Sequence, residues 1–116
     1  MSLIKALWVI AVAAVGASAL VPVPQTPELP GYTDKLVHLG CYLVLGLLAV
    51  LGQRHTRGRL AASLAMIAFG VVIELVQDRL PWRSFEWADI VANTIGVVVG
   101  GSLAVIGTRL RAPPAG

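Results

Sequence analysis

Four long apolar blocks, each closed by a short polar break, run through the chain. They extend from about Ala6 to Val23, Leu36 to Leu51, Leu60 to Val76 and Ile90 to Ile106. With their polar ends counted, they predict helices over about 6–23, 34–52, 59–78 and 86–106. Each is close to the ~20 residues that cross a ~30 Å hydrocarbon core. No period-two alternation of apolar and polar residues runs through these blocks, which argues against barrel strands. Between the first two blocks, Pro22 to Gly31 contains four prolines in ten residues. That segment cannot continue a helix and is expected to be a stiff, extended connector. The expected fold is all-α: a four-helix transmembrane bundle, making a single membrane domain over 1–116.

Composition strengthens the membrane reading. Hydrophobic residues make up 57% of the 116 and charged ones 13%, with a mean hydropathy of +0.81. A soluble domain of this size needs far more polar surface. The net charge of +3 would suggest nucleic acid in a soluble chain, but the basic residues sit between apolar blocks and read as topology signals. No nucleic-acid partner is expected. Lys5 precedes the first helix, Arg54, Arg57 and Arg59 separate the second and third, and Arg109 and Arg111 follow the fourth. In an alternating bundle these six of nine cations share one side, and the positive-inside rule makes that side cytoplasmic. Glu28, Asp34, Glu74, Asp78, Glu86 and Asp89, all six acids, fall on the other side. Both termini are therefore expected to be cytoplasmic. Lys5, a short apolar run and Ala17-Ser18-Ala19 also fit a secretory signal. A single lysine is a weak start for one, and the apolar run continues past that site, so a membrane helix is the preferred reading.

Small residues mark packing. Gly96 and Gly100, followed by Gly101, have the spacing that lets helix backbones approach closely, and Ala61, Ala65 and Ala68 lie near one face of the third helix. Cys41, the only cysteine, stands in an apolar run and reads as a small packed residue.

The ionisable residues carry the chemistry. His38 follows Asp34 at i+4, beside Lys35; Glu74 and Gln77 are neighbours at i+3 near Asp78 and Arg79; Glu86, Asp89 and Asn93 form one stripe. His38 lies about 6 Å inward of Asp34, Glu74 about 6 Å inward of Asp78 and Asn93 about 6 Å inward of Asp89. Charges facing lipid cost on the order of 2.5–3.5 kcal/mol, so these stripes should face one another or line a cleft open to the outside. Asp34, Lys35, His38, Glu74, Gln77, Arg83, Glu86, Asp89 and Asn93 are the expected ligand-binding residues. Glu74, His38 and Asp89 are the catalytic candidates, with the two carboxylates as acid and base and His38 as proton carrier. A metal set of His38, Glu74 and Asp89 is conceivable, but no paired-ligand spacing supports it, and His55 lies on the cytoplasmic side. No metal and no cofactor are expected. Lys35 and Arg83 at the rim suit an anionic headgroup or phosphate, or simple snorkelling. Trp82 and Trp87 read as interfacial anchors and Ser84 as the N-cap of the fourth helix. In the structural alternative, Glu74, His38 and Arg83 satisfy one another and only fix the register.

Asp34-Lys35-Leu-Val-His38 with Gly40 and Tyr42, Glu74-Leu-Val-Gln77, and Arg83-Ser-Phe-Glu-Trp-Ala-Asp89 leading to Asn93-Thr-Ile-Gly96 come in one order. In these motifs the chain resembles the VanZ-like family of small bacterial membrane proteins, from about Thr33 to Gly101. Leu80-Pro81-Trp82 departs from the glycine expected beside the arginine, which bears on the shape of that loop. The resemblance implies a multi-pass protein of the bacterial cytoplasmic membrane. It also implies a possible link to resistance against the glycopeptide teicoplanin, the property of the family's name-giving member, and carries over no settled catalytic residues. The resulting expectation is an outer-face pocket for an envelope lipid or lipid-bearing glycopeptide. A hydrolase or transferase acting on such a lipid, or a scaffold, is the alternative, and the absence of a repeated half or broken helices weighs against a transporter.

Overall fold

A computed structural model describes residues 2–22 and 32–112. Four helices account for nearly all of them: α1 (Leu3–Leu20), α2 (Tyr32–Leu51), α3 (Thr56–Gln77) and α4 (Trp87–Arg111). No strand occurs among the described residues. Each helix is long and apolar enough to cross a membrane. The fourth continues five residues past the expected end, because Gly107 to Arg111 contains no proline and two arginines favour the carbonyl end of the dipole. The third begins earlier than expected, with His55 at its N-cap position. Ser84 is not a cap: α4 starts after Glu86, whose backbone N–H is taken by a carboxylate of α3. Val23, Glu28 and the expected extended connector beyond Pro22 lie outside the described residues.

Contacts between the helices fix the bundle's register. Gly101 of α4 lies against Val50 of α2, Gly96 against Leu39, and Lys35 pairs with Asp89, so α2 and α4 run parallel. Glycines make this the most extensive helix contact. A Cβ on Gly46 would sit 2.5 Å from the Val97 carbonyl oxygen, and one on Gly96 would sit 2.5 Å from that of Leu39. One on Gly100 would overlap the Leu43 carbonyl outright. Nothing larger than hydrogen fits, so the Gly96/Gly100 spacing serves packing within the bundle. The alanine face expected to pack is elsewhere. Ala61, Ala65 and Ala68 are exposed, and α3 turns Ala62, Met66, Gly70 and Ile73 inward.

Helix α3 closes the core of Tyr42, Leu45, Ala49, Ala62, Met66 and Val97, and Cys41 packs at its edge. Helix α1 buries no residue completely. It leans on α2 and α3 through Trp8, Val12 and Val15, with the Trp8 Nε1–H donating to Met66 Sδ at 3.3 Å. Leu36, Leu60, Leu64, Val72, Val98 and Ile106 are exposed around the outside. An apolar exterior over a tightly packed interior is what a lipid solvent requires.

Candidate functional site

The first turn of α2, the last turn of α3 and the first turn of α4 meet at one end of the bundle, and their polar stripes converge there. Asp34, Lys35 and His38 come from α2, Glu74 from α3, and Glu86, Asp89 and Asn93 from the start of α4. Lys35 is the hub. Its ammonium donates to Asp34 Oδ2 at 3.1 Å, to Asp89 Oδ1 at 2.5 Å and to Glu86 Oε2. Each aspartate turns its other oxygen toward His38: Nε2 lies 3.5 Å from Asp34 Oδ1 and 3.6 Å from Asp89 Oδ2. The opposite ring nitrogen, Nδ1, lies 3.0 Å from Asn93 Oδ1. Asp34, His38 and Asp89 thus bring one potential ligand atom each within 4.8 Å of one another. The set weighed from spacing contained Glu74; the fold places Asp34 there instead.

Glu74 is fully buried. Its Oε1 accepts the Glu86 backbone N–H at 2.8 Å, which ties α3 to the start of α4. Its Oε2 has no partner, nor do Tyr42 Oη and Asn93 Nδ2, all three shielded from solvent. One turn deeper, Gly70 makes room for the Tyr42 ring and the Asn93 amide: a Cβ there would lie 3.1 Å from the first and 3.3 Å from the second. Tyr42 was not among the expected site residues, although Asp34, His38 and Tyr42 continue a single i+4 stripe.

Gln77 and Arg83 belong to a different assembly. The last carbonyls of α1 have no partners within their own helix, and side chains after Glu74 supply them. Gln77 Nε2–H donates to Ala19 O at 2.8 Å and Trp82 Nε1–H to Leu20 O at 3.2 Å. Arg83 donates through Nη2 to Ser18 O at 3.1 Å and Val21 O at 2.9 Å. Glu74, His38 and Arg83 therefore do not satisfy one another, because Arg83 is committed to α1. Trp82 works as a clasp donor, while Trp87 is exposed and stacks edge-on against Phe85 with ring centroids 5.0 Å apart. Asp78, Arg79 and Ser84 are exposed at this end.

A family model described as VanZ/LLP1 matches residues 4–108. The chain belongs to the VanZ/LLP1 family. That match spans all four helices, α1 included, and so reaches beyond the motifs of α2 to α4 that carried the resemblance. No curated protein and no solved structure matched the chain. As a VanZ/LLP1 member with four membrane-length helices, it is a multi-pass membrane protein.

Beside the cluster the surface is concave. A groove of about 430 Å³ runs between α2 and α4, lined by Leu36, Leu39, Ala88, Val91, Ala92 and Ile95, with Lys35 at its polar end. Ala88 and Ala92 stand one turn apart on α4, and their small side chains leave the space.

Proposed function

We propose that this VanZ/LLP1 protein binds an envelope amphiphile, laying its apolar chain in the α2/α4 groove and its polar head on the cluster around Lys35. The observation that carries this reading is the continuity of an apolar groove with a charged end: six apolar residues lead to Lys35, whose ammonium holds three carboxylates. Pockets for ligands pair an apolar lining with a few convergent polar groups. The head is the more specific part. Arg83 is engaged on α1 and Lys35 is surrounded by acids, so a bare phosphate finds little free positive charge. A head rich in hydroxyl or ammonium donors suits the cluster better, and this covers both sugar-bearing envelope lipids and a lipid-bearing glycopeptide. On this reading the cluster faces the outside of the bacterial cytoplasmic membrane with both termini cytoplasmic, as the basic residues at the opposite end favour. A contribution to glycopeptide resistance would follow from binding such a molecule there.

Binding is favoured over turnover because Glu74, the deepest carboxylate, is fully buried and does not line the groove. The test is mass spectrometry of lipids that co-purify from native membrane with the wild type and with Ala88→Leu and Ala92→Leu. One lipid class enriched on the wild type and depleted on the folded groove variants supports the reading. The same bulk lipid on all three overturns it.

A further inference from the structure

The arrangement of oxygens around His38 is difficult to account for by hydrogen bonding alone. Asn93 Oδ1 faces Nδ1 at 3.0 Å, an acceptor that suits a proton on Nδ1; in the neutral ring, Nε2 then carries the electron pair. That pair faces two carboxylate oxygens, Asp34 Oδ1 and Asp89 Oδ2, at 3.5 and 3.6 Å. Three electron-rich atoms converging on one point repel unless something positive stands between them. A proton on Nε2 would draw an oxygen to about 2.7–2.9 Å. Metal bonds of about 2.0–2.2 Å at tetrahedral angles instead separate ligand atoms by about 3.3–3.6 Å. The two nitrogen–oxygen spacings fall in the second range, and all three atoms lie within 4.8 Å of one another.

We propose that Asp34 Oδ1, His38 Nε2 and Asp89 Oδ2 form a site for a divalent cation of the zinc class, with one position left open. One imidazole and two carboxylate oxygens are a ligand set that such an ion accepts. The supporting groups are already in place. Lys35 holds the outer oxygen of each aspartate and so turns the inner oxygen toward His38. Asn93 fixes the ring through Nδ1, as groups behind metal-bound histidines commonly do.

Glu74 points to a cation independently. It is fully buried, its Oε2 has no partner, and its charged neighbours are Asp89, His38 and Glu86. With Asp34 this makes four carboxylates gathered around one lysine and one histidine. Two of the four, Glu74 and Asp89, are buried, and buried carboxylates call for positive charge beside them. A divalent ion supplies it, and its open position faces the end of the bundle where the amphiphile head is placed. The metal site stands without that ligand, since it rests only on side chains of this chain.

Titration calorimetry of zinc chloride into the full chain tests this, using protein purified in detergent, stripped with chelator and freed of any affinity tag. One equivalent is expected to bind the wild type and His55→Gln alike, His55 being the histidine at the opposite end. Binding should weaken at least 10-fold in His38→Gln and in Asp34→Asn. The latter replaces a largely exposed carboxylate (57% side-chain exposure) and leaves the fold intact. Asn93→Ala should weaken binding 10- to 100-fold, the range for a group that orients a ligand. Absence of saturable binding to the wild type overturns the proposal, as does zinc binding that Asp34→Asn and His38→Gln leave unchanged. Neither result bears on the lipids that co-purify with the protein.

Discussion

Two polar assemblies share one end of this bundle, and they differ in how donors and acceptors balance. In the clasp on α1, Gln77, Trp82 and Arg83 donate and the carbonyls of Ser18, Ala19, Leu20 and Val21 accept, which leaves Arg83 Nε as the one buried atom there without a partner among the described residues. In the cluster on α2, α3 and α4, four carboxylates surround Lys35 and His38, and Glu74 Oε2 and Asn93 Nδ2 are buried without partners. The first is how a bundle docks a helix that buries no residue completely. The second leaves buried polar atoms of both kinds unpaired, an oxygen of Glu74 and an N–H of Asn93, and gathers its carboxylates on one lysine. Unbalanced polar groups are costly in lipid, so a protein that retains them is expected to balance them with a ligand.

Substitutions can break or sharpen this contrast. Arg83→Ala is expected to cost the most stability, about 2–3 kcal/mol, because it removes charge-assisted donors from two α1 carbonyls. Thermal unfolding in detergent checks it. Gln77→Leu and Trp82→Phe keep the bulk and lose one donor each, and should cost about 0.6–2 kcal/mol in the same assay. Glu74→Gln keeps an oxygen for the Glu86 N–H and replaces a buried carboxyl whose Oε2 has no partner, so stability should stay within about 1 kcal/mol of wild type. A loss as large as that of Arg83→Ala would erase the distinction between the two assemblies. Asp34→Asn should shift stability least, by no more than about 0.5 kcal/mol, since its carboxylate is exposed. A clear drop in its melting temperature would show that the cluster is also a structural device.

Much of this architecture was legible in the sequence because the membrane imposes simple rules. Apolar length located four helices, and helical spacing placed Asp34 with His38 and Asp89 with Asn93 on common faces. Glu74 joined them because a buried acid has few other places to go. Gln77 and Arg83 went elsewhere for a reason spacing cannot show: their partners are backbone carbonyls of α1, and carbonyl acceptors have no residue signature. Ala61, Ala65 and Ala68 were misleading because small residues tolerate lipid as well as a neighbouring helix, whereas Gly96 and Gly100 were decisive because only glycine admits the α2 backbone. The groove depends on Ala88 and Ala92 lying across from Leu36 and Leu39, a relation between helices that one helix's sequence does not contain.

The most direct test of the cluster as a ligand site is native mass spectrometry of Asp89→Asn beside Arg83→Ala, with unfolding measured on the same preparations. The account predicts opposite profiles. Asp89→Asn should melt near wild type yet lose the co-purifying lipid class, while Arg83→Ala should melt lower yet retain that class for as long as it is folded. If Asp89→Asn keeps the wild-type lipids and Arg83→Ala alone loses them, the site belongs to the α1 clasp and the central claim is wrong.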